Sequence, residues 1–161
     1  MIDFKKEAEI QFVIFKLGSE EYGIPITQVR EINRLTAPTK IPKSPPFIEG
    51  VINLRGQIIP ILDMKKRFDL ELTQYTDSAR IMVVEVRDQV FGIIVDAVSE
   101  VLRMATANIE PTPGMVASIG DQYIAGVGKV DERLLIILNL DKLLTEEEHQ
   151  ALGDISQMPE E

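Results

Sequence analysis

The sequence of this 161-residue chain predicts an all-β protein that consists of two related halves. Its apolar runs are short, rich in valine and isoleucine, and bounded by glycine, aspartate or asparagine, which is typical of strands rather than helices. Two blocks of sequence recur at fixed shifts. A helical pattern is clear only near the C-terminus. We therefore expect two small packed β-barrels, related by internal duplication, with a short C-terminal helix.

The strand pattern is strongest in five apolar runs. Tight turns at 18–21 and 87–89 separate neighbouring runs closely enough for hairpins. Strands and helices do not alternate regularly along the chain, so the sequence excludes a doubly wound parallel sheet. The five runs are residues 11–18, 57–62, 80–87, 90–98 and 133–140.

The internal repeat consists of blocks that align without gaps. With a shift of 69 residues, 22–32 aligns with 91–101, and with a shift of 76, 48–64 aligns with 124–140. Each half contains about 70 residues, close to the lower size limit for an independent core, so we expect the halves to share apolar surface. The expected boundaries are approximately 12–78 for the first barrel, approximately 79–140 for the second, and 1–11 and 141–161 for the terminal segments.

The C-terminal segment carries the helical pattern. Thr145 as N-cap and Glu148 three residues later form a capping box, which predicts a helix from this point. His149 follows within the same helix, where no serine, aspartate or metal ligand lies at a useful helical spacing. We interpret His149 as a solvated helix residue rather than a catalytic base.

Composition and charge limit the function classes. The chain has no cysteine and a single histidine, which excludes disulfide scaffolds, thiolate metal sites and multi-histidine metal sites. The net charge of −9 disfavours non-specific attraction to nucleic acid or anionic lipid. The sequence shows neither a signal peptide nor an apolar run of about 18 residues, so we expect a cytoplasmic protein with no direct membrane insertion.

Catalysis is not indicated by any motif. Asp63, Asp96 and Glu31 fall at strand ends, but without the spacing of paired catalytic carboxylates. Phosphate-binding glycine loops and metal-ligand spacings are not found, so we expect no enzyme activity, no cofactor and no metal. Two alternatives stay open: a carboxylate-based hydrolase using Asp63 and Asp96, and a small β-barrel that binds a ligand or nucleic acid through the basic region 30–67.

The region from the prolines to the following hairpin has a different character. Four prolines between Pro38 and Pro46 stiffen the chain into an extended connection. Gly56 supplies the positive φ that a tight hairpin turn needs, so Arg55 is expected at the tip of a turn. Arg55 is therefore either a solvated arginine or an arginine presented to a partner on a rigid scaffold.

Four stretches of the chain, taken in order, closely resemble the bacterial chemotaxis coupling family CheW over about residues 10–145. The resemblance implies one domain spanning 1–161, made of two five-stranded SH3-like barrels. It also implies a non-enzymatic scaffold that couples methyl-accepting chemoreceptors to the histidine kinase CheA in membrane-associated arrays, with further CheW copies as possible neighbours. The four stretches are EEYGIPITQVREI, FIEGVINLRGQIIPILDMKKRF, FGIIVDAVSEV and IAGVGKVDERLLIILNLDKLL.

The resemblance also implies two sets of binding residues. Glu31 and Arg55 are expected to form an ion pair across the groove between the barrels, whereas Glu110 departs from a basic residue found in a relative. The receptor-binding positions are Val29, Glu31, Ile32, Gly50 and Arg55. The positions for binding the CheA regulatory domain or another coupler are Pro38, Lys40, Ile41 and Met115.

Overall fold

The computed structural model describes residues 8–42, 44–72, 74–110 and 121–156. Within these ranges the chain forms eleven strands and two α-helices, which confirms the predicted all-β class. The strands are β1 (Glu9–Leu17), β2 (Glu20–Pro25), β3 (Val29–Arg34), β4 (Gly50–Leu54), β5 (Gln57–Asp63), β6 (Arg80–Val86), β7 (Gln89–Val95), β8 (Ala97–Ala105), β9 (Ile109–Glu110), β10 (Ile124–Val130) and β11 (Arg133–Leu138). The helices are α1 (Met64–Arg67) and α2 (Glu146–Ser156).

The strands are distributed over two sheets that contain strands from both halves of the sequence. One sheet has the order β8-β1-β2-β11-β10-β9, and the other has the order β3-β6-β7-β5-β4. The first sheet has six strands rather than five because the two-residue strand β9 extends its edge. Most pairs are antiparallel, but β2–β11 and β5–β7 are parallel.

We expected one barrel from residues 12–78 and another from residues 79–140. This prediction is wrong, because each sheet contains strands from both ranges. The hairpin β1–β2 of the first half lies in one sheet with β8–β11 of the second half, and β6–β7 lies with β3–β5. Only the three residues Ile26–Gln28 separate β2 from β3, yet these strands belong to different sheets. The two halves therefore exchange their first hairpins. The exchange is possible since equivalent strands carry the same apolar pattern, so either copy can fill the same place in a sheet.

Alternating side chains create three apolar clusters. Phe12 and Ile14 point into one barrel, and the equivalent Ile81 and Val83 point into the other. The intervening residues, including Phe15, face the large cluster between the two sheets. This alternation follows from the period of two in a β-strand, and it makes both faces of the central strands apolar.

Helix α2 packs against the cluster between the sheets. Leu152 and Ile155 are buried there, and Thr145 and Glu148 form the reciprocal capping box that the sequence predicts. The interpretation of His149 as a solvated residue is wrong, because it is buried and its Nδ1 lies 2.9 Å from Gln89 Oε1. Among the described residues, no helix is long and apolar enough to cross a bilayer.

Candidate partner-binding surfaces

An irregular pairing of the edge strand β3 brings two apolar side chains to one face. The register with β6 shifts between Val29 and Glu31, so that Val29 lies opposite Val84 and Ile32 lies opposite Met82. Directly opposed residues share a face of the sheet. Val29 and Ile32 therefore point to the same side although they are three residues apart, which a regular strand does not allow.

This face of β3 is the margin of the cluster between the sheets. Val84 and Met82 belong to that cluster, and Val29 is half-buried against it. Ile32 is 39% exposed, so it offers an apolar contact to a partner without opening the core. Glu31 lies opposite Val83 and therefore points to the other side of β3. Because β3 is an edge strand, both sides meet at its edge, and we call this edge, with Val29, Glu31, Ile32 and the neighbouring Arg55, the β3 surface.

Two contacts between side chains form the ion pair of the β3 surface. Arg55 Nη2 lies 2.5 Å from Glu31 Oε2, and Arg55 Nη1 donates to Glu31 Oε1 at 3.4 Å. Asn33 Nδ2 also donates to Glu31, at 3.0 Å. The hydrogen bonds from Arg55 and Asn33 hold the pKa of Glu31 below its ordinary value, so this carboxylate stays charged.

The hairpin turn between β4 and β5 presents Arg55 as the sequence predicts. Arg55 and Gly56 both have positive φ, +52° and +87°, which is the pattern of a two-residue type I′ turn. The Asn53 side chain accepts a hydrogen bond from the Gly56 amide at 2.8 Å and fixes the turn. The Arg55 side chain is 71% exposed, so it remains accessible while it pairs with Glu31.

The expected position of this ion pair needs a correction. Glu31 lies on β3 and Arg55 follows β4, and these are the two edge strands of the same sheet. The pair therefore joins the edges of one curled sheet and does not cross a groove between barrels. It links the hairpin tip to β3.

Gly50 controls the position of the segment 38–41. It is buried, and a Cβ added there would lie 2.6 Å from the Thr39 carbonyl oxygen and 2.9 Å from Pro38 Cβ. Thr39 exchanges two backbone hydrogen bonds of 2.8 Å with Val51. The absence of a side chain at Gly50 thus allows this segment to lie against β4.

The other residues expected to bind the kinase differ in exposure. Lys40 is exposed, Pro38 is half-buried, and Ile41 packs partly against the cluster between the sheets. Met115 lies outside the described residues. The structure thus places Pro38 beside Gly50, with Lys40 and Ile41 in the same segment, and separately pairs Glu31 with Arg55.

The duplicated sequence supplies a second copy of the β3 arrangement, on β8, that the sequence reasoning missed. The register of β8 with β1 shifts at the equivalent place, so that Val98 lies opposite Phe15 and Val101 lies opposite Val13. Val101 corresponds to Ile32 in the repeat with a shift of 69 residues, and both are exposed apolar residues. That shift was the signal in the sequence that pointed to this surface.

The carboxylates considered for a hydrolase have structural partners. Asp63 accepts hydrogen bonds from the first backbone amides of α1 and caps that helix. Asp96 pairs with the buried ammonium of Lys65 at 2.9 Å and accepts a hydrogen bond from the Gly18 amide at 2.8 Å. Both carboxylates therefore have structural roles. Asp63 caps α1, and Asp96 links Lys65 of α1 to the turn at Gly18.

Comparison with known proteins now decides the family. The family model described as CheW-like domain matches residues 11–148, which is most of the chain. This chain belongs to the CheW family. Members of the CheW family are scaffold adaptors of chemotaxis and not enzymes, so the hydrolase alternative is wrong.

CheW relatives match along nearly their whole length. Chemotaxis protein CheW of Klebsiella aerogenes is 38% identical over 146 residues, covering 91% of this chain and 88% of that protein. Chemotaxis protein CheW of Bacillus subtilis is 36% identical over 141 residues, covering 88% of this chain and 90% of that protein. The crystal structure of scaffolding protein TtCheW from Thermoanaerobacter tengcongensis superposes with a TM-score of 0.79 at 41% identity, covering 86% of this chain and 90% of that chain. This neighbour confirms the two packed SH3-like barrels and the short C-terminal helix.

Proposed function

We propose that this protein couples methyl-accepting chemoreceptors to the histidine kinase CheA, in the cytoplasm beside membrane-bound receptor arrays. The observation that carries the proposal is the β3 surface, where the exposed Ile32 and the half-buried Val29 lie on the same edge strand as Glu31, which pairs with Arg55 at a hairpin tip. A protein that holds two partners together needs separate surfaces for them. The β3 surface and the segment 38–41 are two such surfaces on one rigid sheet.

We assign the β3 surface to the receptor. The cytoplasmic tip of a chemoreceptor is a helical hairpin, and an amphipathic helix docks through apolar side chains on its contact face. Val29 and Ile32 provide the matching apolar contacts at the margin between the sheets. Glu31 and Arg55 at the rim set register and specificity more than affinity. Gly50 contributes indirectly, because it is buried.

We assign the segment 38–41 to the CheA regulatory domain or to another CheW copy. Lys40 is exposed there, and the hydrogen bonds of Thr39 with Val51 hold the segment against β4. Met115 is the proposed contact in the second half of the chain. Interfaces between such small modules are modest in area, so assembly in an array strengthens them through avidity.

A binding experiment with a receptor signalling fragment tests the first assignment. Ile32→Asp places a charge on the apolar contact and should abolish measurable binding, and Arg55→Ala should weaken it by about tenfold. Leu72→Asp is the matched control, because Leu72 is 61% exposed and lies outside the β3 surface. Val29→Asp should also weaken binding, but its partial burial makes a folding check necessary. Unchanged receptor affinity in Ile32→Asp and Arg55→Ala would refute the assignment.

Binding of the CheA regulatory domain tests the second assignment. Lys40→Glu and Met115→Asp should each lower the affinity for CheA while receptor binding is retained. Lys142→Glu is the matched control for the charge reversal, because Lys142 is also exposed but follows β11. If both variants bind CheA like the wild type, the kinase contact lies elsewhere on the molecule.

A further inference from the structure

An open cavity of about 530 Å³ lies at the end of the β3–β6 pair. Its walls combine basic and apolar groups and include the turn that precedes β6. The lining residues are Arg34, Leu35, Tyr75, Thr76, Asp77, Ala79 and Arg80. Two guanidinium groups against one carboxylate make this cavity basic, although the whole chain carries a net charge of −9.

The two arginines oppose each other, and neither has an ion-pair partner among the described residues. Arg34 lies directly opposite Arg80 in the antiparallel register, and like charges in this position destabilise a sheet. Within the described residues, neither arginine lies within ion-pair distance of a carboxylate. Arg80 Nη1 donates to two backbone carbonyls, those of Asp77 at 2.9 Å and Ala79 at 2.8 Å.

The duplicated half shows that the scaffold does not require this arrangement. At the equivalent pair in the other sheet, Gln11 lies opposite Arg103, and Arg103 is 3.7 Å from a carboxylate oxygen of Glu9. There the strands continue to pair beyond this point, with Ile10 opposite the buried Met104. In the β3–β6 pair the regular pairing stops at Arg34 and Arg80, and the cavity opens beyond them.

The apolar side of the cavity is formed by side chains that pack on the barrel. The Lys65 ammonium lies over the Tyr75 ring, 4.1 Å from the ring centroid. Leu35 and Tyr75 both pack against the interior of the barrel. The cavity therefore offers an apolar wall beside two guanidinium groups, which bind carboxylates through directional, paired hydrogen bonds.

We propose that this cavity docks an acidic segment of a partner protein, with one carboxylate held between Arg34 and Arg80 and an apolar neighbour against Leu35 and Tyr75. Charge complementarity selects the occupant, because a carboxylate relieves the repulsion between the two arginines. The volume of about 530 Å³ leaves room for an apolar side chain beside the carboxylate. This inference rests on the proposed adaptor function only for the identity of the partner protein.

Fluorescence anisotropy with a labelled peptide tests the proposal without receptor or kinase, so its failure is distinguishable from failure of the adaptor function. The probe is a peptide of four glutamates around one leucine, and its counterpart carries four glutamines. The protein should bind the glutamate peptide at least tenfold more tightly. The double variant Arg34→Ala/Arg80→Ala should lose this preference.

The matched control is Arg30→Ala/Arg103→Ala, which removes the same charge from two arginines that already have carboxylate partners. It should bind the glutamate peptide within twofold of the wild type. Because Arg80 also supports a turn, Arg34→Glu serves as a second variant and should abolish binding by itself. Equal losses in both double variants, no binding by the wild type, or displacement of the peptide by an equal concentration of inorganic phosphate would each overturn the proposal.

Discussion

Gly50 is the residue at which the segment 38–41 comes closest to β4. A methyl group at this position would meet the Thr39 carbonyl oxygen at 2.6 Å, and a backbone atom cannot move away without disturbing its hydrogen bonds. We expect Gly50→Ala to lower the free energy of unfolding by about 1–3 kcal/mol and to weaken CheA binding. Urea denaturation measures the first effect. Gly153→Ala is the control, since its added Cβ would meet Gln89 Nε2 at the longer distance of 3.3 Å, and it should lower the free energy of unfolding by less than Gly50→Ala does.

Lys65 carries a buried charge beside Tyr75. Its substitution tests how much the pair with Asp96 contributes to the free energy of unfolding. Its side chain is 1% exposed and pairs with Asp96, which is itself partly exposed. We expect Lys65→Met to lower the free energy of unfolding by about 3 kcal/mol, because it leaves a carboxylate without its cation. Lys66→Met, on the same helical turn but half exposed, should change it by less than about 1 kcal/mol. Equal effects of the two substitutions in urea denaturation would contradict this reading of the pair.

Helix α2 is part of the core at the scale of elements. Leu152 is buried in the cluster between the sheets, and the helix is held at its start by the capping box and by pairs of Arg67 with Glu148 and Arg87 with Glu146. We expect Leu152→Ala to lower the free energy of unfolding by about 2–5 kcal/mol. The exposed neighbour substitution Gln150→Ala should stay within about 0.5 kcal/mol. A small effect at Leu152, measured by thermal and urea unfolding, would show that the helix is dispensable.

The elements differ in how well the sequence predicts them. Strands, the Arg55–Gly56 turn and the capping box follow from local patterns, because each depends on residues close in the chain. The irregular registers of β3 and β8 do not follow, since a bulge depends on the partner strand. Sequence reasoning therefore named Val29 and Ile32 from the family resemblance, and only the structure shows why they share a face.

The exchange of hairpins is the feature of the whole molecule that the sequence does not reveal. A repeat identifies which strands are equivalent, but not which copy of each strand completes a given sheet. The groove position expected for the Glu31–Arg55 pair came from the family resemblance, and the strand order corrects it because β3 and β4 are the two edges of one sheet. The pair itself was predicted correctly, since its geometry depends only on β3 and the neighbouring hairpin.

Separate expression of the two halves tests this exchange. Each sheet needs strands from both halves, so fragments covering 8–78 and 79–156 should not fold alone. An equimolar mixture should recover cooperative thermal unfolding and the circular dichroism of the intact chain. A fragment that unfolds cooperatively by itself would show that the halves form independent barrels.

Recruitment of CheA to receptor-containing membrane vesicles tests the central claim most directly. The measured quantity is the fraction of CheA that sediments with the vesicles as this protein is added. Our account predicts that the fraction rises with the protein concentration until the receptors are saturated, and that Ile32→Asp does not support the rise. A CheA fraction that stays at the level of vesicles without this protein would contradict the coupling function.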